Sequence, residues 1–104
     1  MAKYRKKLEA DIRCPLEYGL AVFGGKWKSR IICVLSADKK MRYSEIRKEM
    51  YNITDAVLAA TLKDLIADGI VDRKSYDEIP PRVEYSLTEK GNSVVPILQS
   101  ICRW

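Results

Sequence analysis

The 104-residue sequence has no histidine, and this absence excludes several kinds of chemistry. Without histidine there is no Ser-His-Asp or Cys-His catalysis and no His-ligated zinc. Its three cysteines, Cys14, Cys33 and Cys102, are too few for a Cys₄ zinc site. They also lack CxxC spacing and are odd in number, so they form no disulfide framework. We therefore expect no metal, no cofactor and no enzymatic activity, and a reducing cytoplasm as the environment.

Long hydrophobic runs are also missing. No apolar run exceeds five residues, as in Ile31–Leu35, whereas a membrane-spanning helix needs about 18. The basic N-terminus is followed by Glu9 and Asp11 where a signal peptide would need an apolar stretch. The sequence therefore predicts a complete cytoplasmic protein with no membrane partner.

Positive charge is present but unevenly placed. The formal net charge is +5, and residues 1–50 carry 13 Lys and Arg against 6 Asp and Glu, while residues 51–104 carry 6 against 8. This asymmetry favours an anionic partner for the first half of the chain. A basic surface that only keeps a small domain soluble is the alternative.

Helical periodicity dominates the first two thirds of the chain. Leu8 and Ile12 mark a helix with a thin apolar stripe, and Pro15 begins a second helix that Gly24 and Gly25 end. A third predicted helix runs from Trp27 to about residue 38, and a short fourth helix covers residues 43–50. The most regular pattern follows, an amphipathic helix over residues 54–68 with Thr54 as its N-cap.

The period then changes from helix to strand. Residues 70–76 and 82–87 predict a hairpin with a Pro-Pro tip, and the second strand alternates strictly between apolar and polar positions. Thr88 caps a last apolar helix, in which Pro96 predicts a kink. The spacing of Trp27 and Tyr85 is typical of core residues and not of aromatic side chains that stack on nucleic-acid bases. Cys33 is predicted to be an inert core residue.

This order of elements predicts a single domain of the α+β class, mainly α, with a winged helix-turn-helix fold. Three helices form the core, a two-stranded hairpin forms the wing, and extra helices flank them at both ends.

From Cys14 to its end, the sequence resembles the HxlR family of bacterial transcriptional regulators. The resemblance rests on these segments: CPLEY at 14–18, GGKWK at 24–28, RYSEI at 42–46, LKDL at 62–65, DGIV at 68–71, PPRVEYSLT at 80–88 and Gly91. It implies a homodimeric winged-helix protein that binds double-stranded DNA at a pseudo-palindromic operator, with the N-terminal arm (1–13) and the C-terminal helix (88–104) forming the dimer. The interface residues expected on this basis are apolar: Leu8, Ile12, Val94, Leu98, Ile101 and Trp104. In some members a cysteine corresponding to Cys14 senses electrophiles or oxidants, so a small-molecule or oxidant effector is a further expectation.

If this expectation is right, the helix over residues 54–68 is the recognition helix. Its expected DNA face departs from the polar face common in the family because it is rich in alanine, which favours contacts with thymine methyls and reading of DNA shape. Phosphate contacts are expected from basic side chains at helix starts and in the wing. The predicted DNA-binding residues are Lys26, Lys28, Arg42, Ser44, Thr54, Asp55, Ala56, Ala59, Ala60, Lys63, Lys74 and Arg82.

Three alternatives stay open on sequence alone. Arg82 could pair with an acid such as Glu84 or Asp77 instead of a phosphate. Cys14 could be a redox sensor, since a helix N-terminus and the neighbouring Arg13 favour its thiolate, or it could simply cap a helix. Finally, the alanine-rich face is also compatible with a protein-interaction module that has lost DNA binding.

Overall fold

The computed structural model describes residues 14–104, and the predictions for Leu8, Ile12 and Arg13 lie outside these residues. Five helices and one hairpin follow one another along the described chain. In order they are α1 (Pro15–Phe23), α2 (Lys26–Val34), α3 (Tyr43–Met50), α4 (Asp55–Ala67), β1 (Val71–Tyr76), β2 (Arg82–Leu87) and α5 (Glu89–Arg103). None of these helices is long and apolar enough to cross a membrane.

Two glycines make the sharp corner between α1 and α2. Gly24 ends α1, and any side chain there would collide with the backbone carbonyl of Leu20. Gly25 has a φ of +84°, in the region that favours glycine. The hydroxyl of Ser29 then donates to the carbonyl of Phe23 at 2.6 Å and fixes the corner.

Helix α2 is shorter than the sequence pattern predicts. It ends at Val34, and the chain leaves it through Ala37 and Asp38, which have φ values of +67° and +58°. Apolar spacing extends beyond the helix because Leu35, its C-cap residue, is still buried in the core.

The core lies where α2, α3, α4 and α5 meet the inner face of the hairpin. Its fully buried members come from α2 and its C-cap, from α3 and α4, and from the residue just before β1: Ile31, Ile32, Leu35, Ile46, Met50, Leu58, Leu65 and Ile70. Tyr85 is buried and Trp27 packs half-buried against the same cluster, so their predicted core positions are confirmed.

The wing is an antiparallel hairpin in which Val71 pairs with Leu87 and Tyr76 with Arg82. Because side chains alternate along a strand, Arg73 shares a face with Val71, while Lys74 shares the opposite face with Tyr76. Met41, just before α3, exchanges two backbone hydrogen bonds with Tyr85 (3.0 and 2.8 Å). This bridge fixes the wing to the helix-turn-helix.

The C-terminal helix α5 is held against the base of the wing. Thr88 caps it by accepting a hydrogen bond from the Gly91 N–H at 3.0 Å. Gly91 itself is buried, and a Cβ at this position would collide with the carbonyl oxygen of Ile70. The helix continues on both sides of Pro96.

Two residues predicted for the dimer interface lie in the core of the chain itself. Val94 and Leu98 are only 5% and 6% exposed, because their side of α5 packs on the other helices. The exposed apolar side of α5 is formed instead by Ile97, Ile101 and Trp104.

The expectation that Cys33 is a core residue is wrong. The apolar run over residues 31–35 makes more than one helical turn, so its members cannot all face the core. Ile31, Ile32 and Leu35 are buried, and Cys33 faces outward. It lines a groove between α2 and α5 together with Cys102. Partial burial, and to a lesser degree the neighbouring Cys102 thiol, raises the pKa of Cys33.

Candidate nucleic-acid interface

Helix α4 is firmly held on one side and open on the other. Leu58, Thr61, Leu62 and Leu65 are buried, while the opposite face exposes Ala56, Ala59, Ala60 and Lys63. Thr54 caps the helix by accepting a hydrogen bond from the Val57 N–H at 3.2 Å. Small side chains on the exposed face let another surface approach the helix backbone closely.

Helices α3 and α4 are joined by a set of polar contacts around Asp55. Arg47 forms an ion pair with the Asp55 carboxylate at 3.0 Å and donates to the Ile53 carbonyl at 3.3 Å. The Tyr43 hydroxyl donates to the Asp55 backbone carbonyl at 3.2 Å. Burial, and then the Asp55 charge, raise the pKa of Tyr43. Asp55, predicted to contact DNA, thus already has partners within the helix-turn-helix.

Arg47 was not among the functional residues predicted from the sequence. Its position could have been noticed, because Tyr43 and Arg47 are four residues apart and therefore lie on the same face of α3. That face meets the first turn of α4.

Three predicted DNA-binding residues lie exposed around this unit. Arg42 and Ser44 are at the start of α3, where the Arg42 N–H donates to the Glu45 carboxylate at 2.8 Å, and Lys63 is on the open face of α4. The guanidinium of Arg42 and the ammonium of Lys63 form no ion pair with any carboxylate in residues 14–104. Both cations therefore remain available to an anionic partner.

Arg82, in contrast, is engaged within the wing. Its guanidinium contacts Glu78 at 2.9 Å and Glu84 at 3.2 Å, and lies 3.9 Å from the centre of the Tyr76 ring. The pairing with Glu84 considered from sequence is present, and Glu78 takes the place suggested for Asp77. Lys74 also lies over the Tyr76 ring, at 5.3 Å, but its side chain is exposed.

Lys26 and Lys28 lie at the corner between α1 and α2. Lys26 is 4.5 Å from the centre of the Trp27 ring, and Lys28 donates to the Ala21 carbonyl at 2.9 Å. Their described contacts are thus with this corner rather than with α3 or α4.

A second cation that sequence analysis missed, Arg73, does approach α4. It projects from the core-facing side of β1 and lines a cavity shared with Tyr43, Ala59 and Lys63. The start of α3, the open face of α4 and the wing thus meet at one surface.

Cys14 is the N-cap residue of α1 and is partly exposed. Its backbone carbonyl accepts from the Tyr18 N–H at 3.2 Å, but its side chain makes no capping hydrogen bond. The thiol is thus not required to hold the helix end.

Large apolar side chains are exposed on α1 and α5, away from α4. On α1 they are Leu16 and Leu20, at 70% and 54% exposure, and on α5 they are Ile97, Ile101 and Trp104. Such patches on a small domain commonly mark protein–protein interfaces.

Comparison with known proteins gives a consistent result. Residues 22–104 match the model of the HxlR-like helix-turn-helix family. The HTH-type transcriptional regulator BH0655 of Halalkalibacterium halodurans is 43% identical over 104 residues, which cover all of this chain and 92% of that protein.

Solved structures agree with the relatives. The redox regulator HypR in its oxidised form superposes with a TM-score of 0.82 at 44% identity, over 88% of this chain and 93% of HypR. The reduced transcriptional regulator YodB of Bacillus subtilis superposes with a TM-score of 0.78 at 34% identity, over 88% of each chain. The predicted winged helix-turn-helix fold is confirmed, and nothing in these likenesses supports a module that has lost DNA binding. The chain belongs to the HxlR-like helix-turn-helix family of transcriptional regulators.

Proposed function

We propose that this regulator binds double-stranded DNA as a homodimer, with α4 in the major groove and the wing along the flanking backbone. The observation that carries the proposal is the open face of α4, held rigidly beside the wing by the Asp55 contacts and the Met41 bridge. A helix fixed on one side and open on the other is what insertion into a groove requires. We expect this protein to be in the cytoplasm, where the chromosomal DNA of a bacterium lies.

Affinity and sequence choice come from different residues in this proposal. Arg42, Lys63 and Arg73 surround the alanine face and supply charge for phosphates. Ala56, Ala59 and Ala60 approach the bases, where short apolar side chains fit thymine methyl groups. We assign Arg82 to the wing itself, because its charge is balanced by two carboxylates.

The dimer is proposed to form through the exposed apolar residues of α1 and α5. In a dimer with a two-fold axis at this surface, both subunits contribute the same patch to the interface. The two α4 helices then enter successive major grooves about 34 Å apart, on a pseudo-palindromic site.

Selection of DNA fragments by the purified protein, followed by footprinting, tests this proposal. The expected footprint has two protected half-sites about 10 base pairs apart, centre to centre. Sedimentation at micromolar concentration should give a dimer, and Ile101→Glu should give a folded monomer with weakened DNA binding. A folded wild-type monomer, or the absence of any selected sequence, would contradict the proposal.

We also propose that Cys14 makes DNA binding responsive to oxidants or electrophiles. The side chain is partly exposed and is not needed as a cap, and HypR, at 44% identity, is a redox regulator. Treatment with an oxidant should change the DNA affinity of the wild type but not that of Cys14→Ser. An equal response of both proteins would assign any sensitivity to Cys33 or Cys102.

A further inference from the structure

A cavity of about 280 Å³ opens between the recognition helix α4 and the wing. Its lining is mostly apolar or aromatic and includes Leu62 and Ile66 of α4 and Tyr85 of β2, together with Tyr43 and Ala59. Leu62 and Tyr85 are almost completely buried, at 2% and 9% exposure, so they form the inner surface of the cavity, which is continuous with the core. The cavity is therefore an apolar recess that reaches inward from the proposed DNA-binding surface.

Two cations stand at the mouth of this recess on different elements. Lys63 comes from the open face of α4, and Arg73 comes from the core-facing side of β1, directly opposite Tyr85. Both are exposed, and Arg73 donates to the Ser75 hydroxyl at 3.3 Å. Among residues 14–104, no carboxylate lines the recess, and neither cation is paired with one.

This arrangement selects a particular chemistry. The apolar inner surface favours an aromatic ring, and an unpaired ammonium and guanidinium at the mouth favour an anion, for which the guanidinium offers two parallel donors. The volume is at the lower end of ligand-binding pockets, which limits the occupant to one or two rings. A DNA phosphate could meet the two cations, but it has no apolar part to fill the recess behind them.

We propose that this recess binds a small aromatic carboxylate, with the ring against Leu62 and Tyr85 and the carboxylate between Lys63 and Arg73. Bound there, the ligand neutralises two cations of the DNA-binding surface and fills the space between α4 and the wing. It therefore weakens DNA binding, and by linkage DNA weakens ligand binding by the same factor. The effect on DNA rests on the function proposed above, whereas binding of the ligand does not.

Naphthalene-1-carboxylate is a suitable probe, titrated into the full chain without DNA and followed by methyl NMR. We expect saturable shifts of the Leu62 and Ile66 methyl groups and none at Ile101, which lies outside the recess. The uncharged naphthalene-1-carboxamide should bind at least about fivefold more weakly, because it loses the charge-assisted contacts.

Variants separate the anion contact from the apolar one. Arg73→Gln and Lys63→Gln should each weaken carboxylate binding about fivefold. Lys74→Gln removes the same charge from the adjacent residue on the opposite face of β1, and should change binding less than twofold. Ala59→Met leaves both cations in place but fills the recess, and should abolish binding while the protein stays folded.

Each result bears directly on the proposal. Absence of saturable binding to the folded wild type, equal binding of the carboxamide, or no effect of Arg73→Gln would overturn it. If the wild type binds the probe but no DNA, the proposed ligand site stands and the proposed DNA-binding function is rejected. If the wild type binds DNA but not the probe, the DNA-binding function stands and the ligand site is rejected.

Discussion

The most informative prediction concerns Arg82, for which sequence and structure suggest different roles. Its guanidinium contacts Glu78 and Glu84, and lies over the Tyr76 ring. The side chains of Arg82 and Glu84 are 28% and 18% exposed, so solvent screens this ion pair only in part, whereas Glu78 is 49% exposed and its pair is screened more. Arg82→Met keeps the apolar stem but removes all three contacts, and leaves Glu84 with no guanidinium partner.

The expected loss can be worked from these contacts. Two charge-assisted hydrogen bonds in partly exposed positions, together with one cation–π contact, contribute about 2 kcal/mol to wing stability. Amides of β1 and β2 should therefore exchange with solvent about 30-fold faster in Arg82→Met, if the wing opens locally. The matched control is Lys74→Met, which removes an exposed cation over the same ring and should cost less than about 0.5 kcal/mol.

DNA binding by Arg82→Met distinguishes the two roles. If Arg82 only braces the wing, the affinity falls but the slope of log K against log salt stays the same. A slope smaller by about 0.9, with unchanged amide exchange in the wing, would show that Arg82 contacts a phosphate, and our reasoning from the ion pairs would be refuted.

Three further predictions follow from single contacts. Thr54→Ala removes the cap of α4 and should lower the free energy of unfolding by about 1 kcal/mol in urea denaturation, whereas Thr54→Ser should restore it. Gly91→Ala forces a methyl group against the Ile70 carbonyl and should cost about 1–3 kcal/mol; unchanged stability would mean that α5 does not approach the strand this closely. In a Cys14→Ser background, the pH at which Cys33 is alkylated at half its maximal rate should lie above the ordinary thiol pKa. The reason is that burial, and to a lesser degree Cys102, raise the pKa of Cys33 and so favour its protonated form. Cys102→Ser should move that midpoint to lower pH, and an unshifted profile would exclude the interaction between the two thiols.

The sequence predicted the elements well where local patterns decide them. The period of α4 and its Thr54 cap, the Gly24–Gly25 corner and the alternation of β2 each specify a local conformation, and the structure has all of them. These features depend on residues that are neighbours along the chain, so they can be recognised without knowing the fold.

The sequence was less informative where more than one kind of partner fits the same residue. Val94 and Leu98 are apolar, but an apolar helix face does not reveal whether another subunit or the same chain covers it. Arg82 is basic, but its charge alone does not distinguish a phosphate from Glu84. Cys33 was assigned to the core from its neighbours in sequence, although one position of such a run must face outward.

The salt dependence of DNA binding tests the central claim most directly. With a selected DNA fragment, log K should fall linearly with log salt for the wild type, and Lys63→Gln should make the slope about 0.9 less steep. Arg103→Gln removes one charge from the end of α5 and should leave the slope unchanged. A wild-type affinity insensitive to salt, or equal slopes for the wild type and Lys63→Gln, would contradict the assignment of the open face of α4 as the DNA-binding surface.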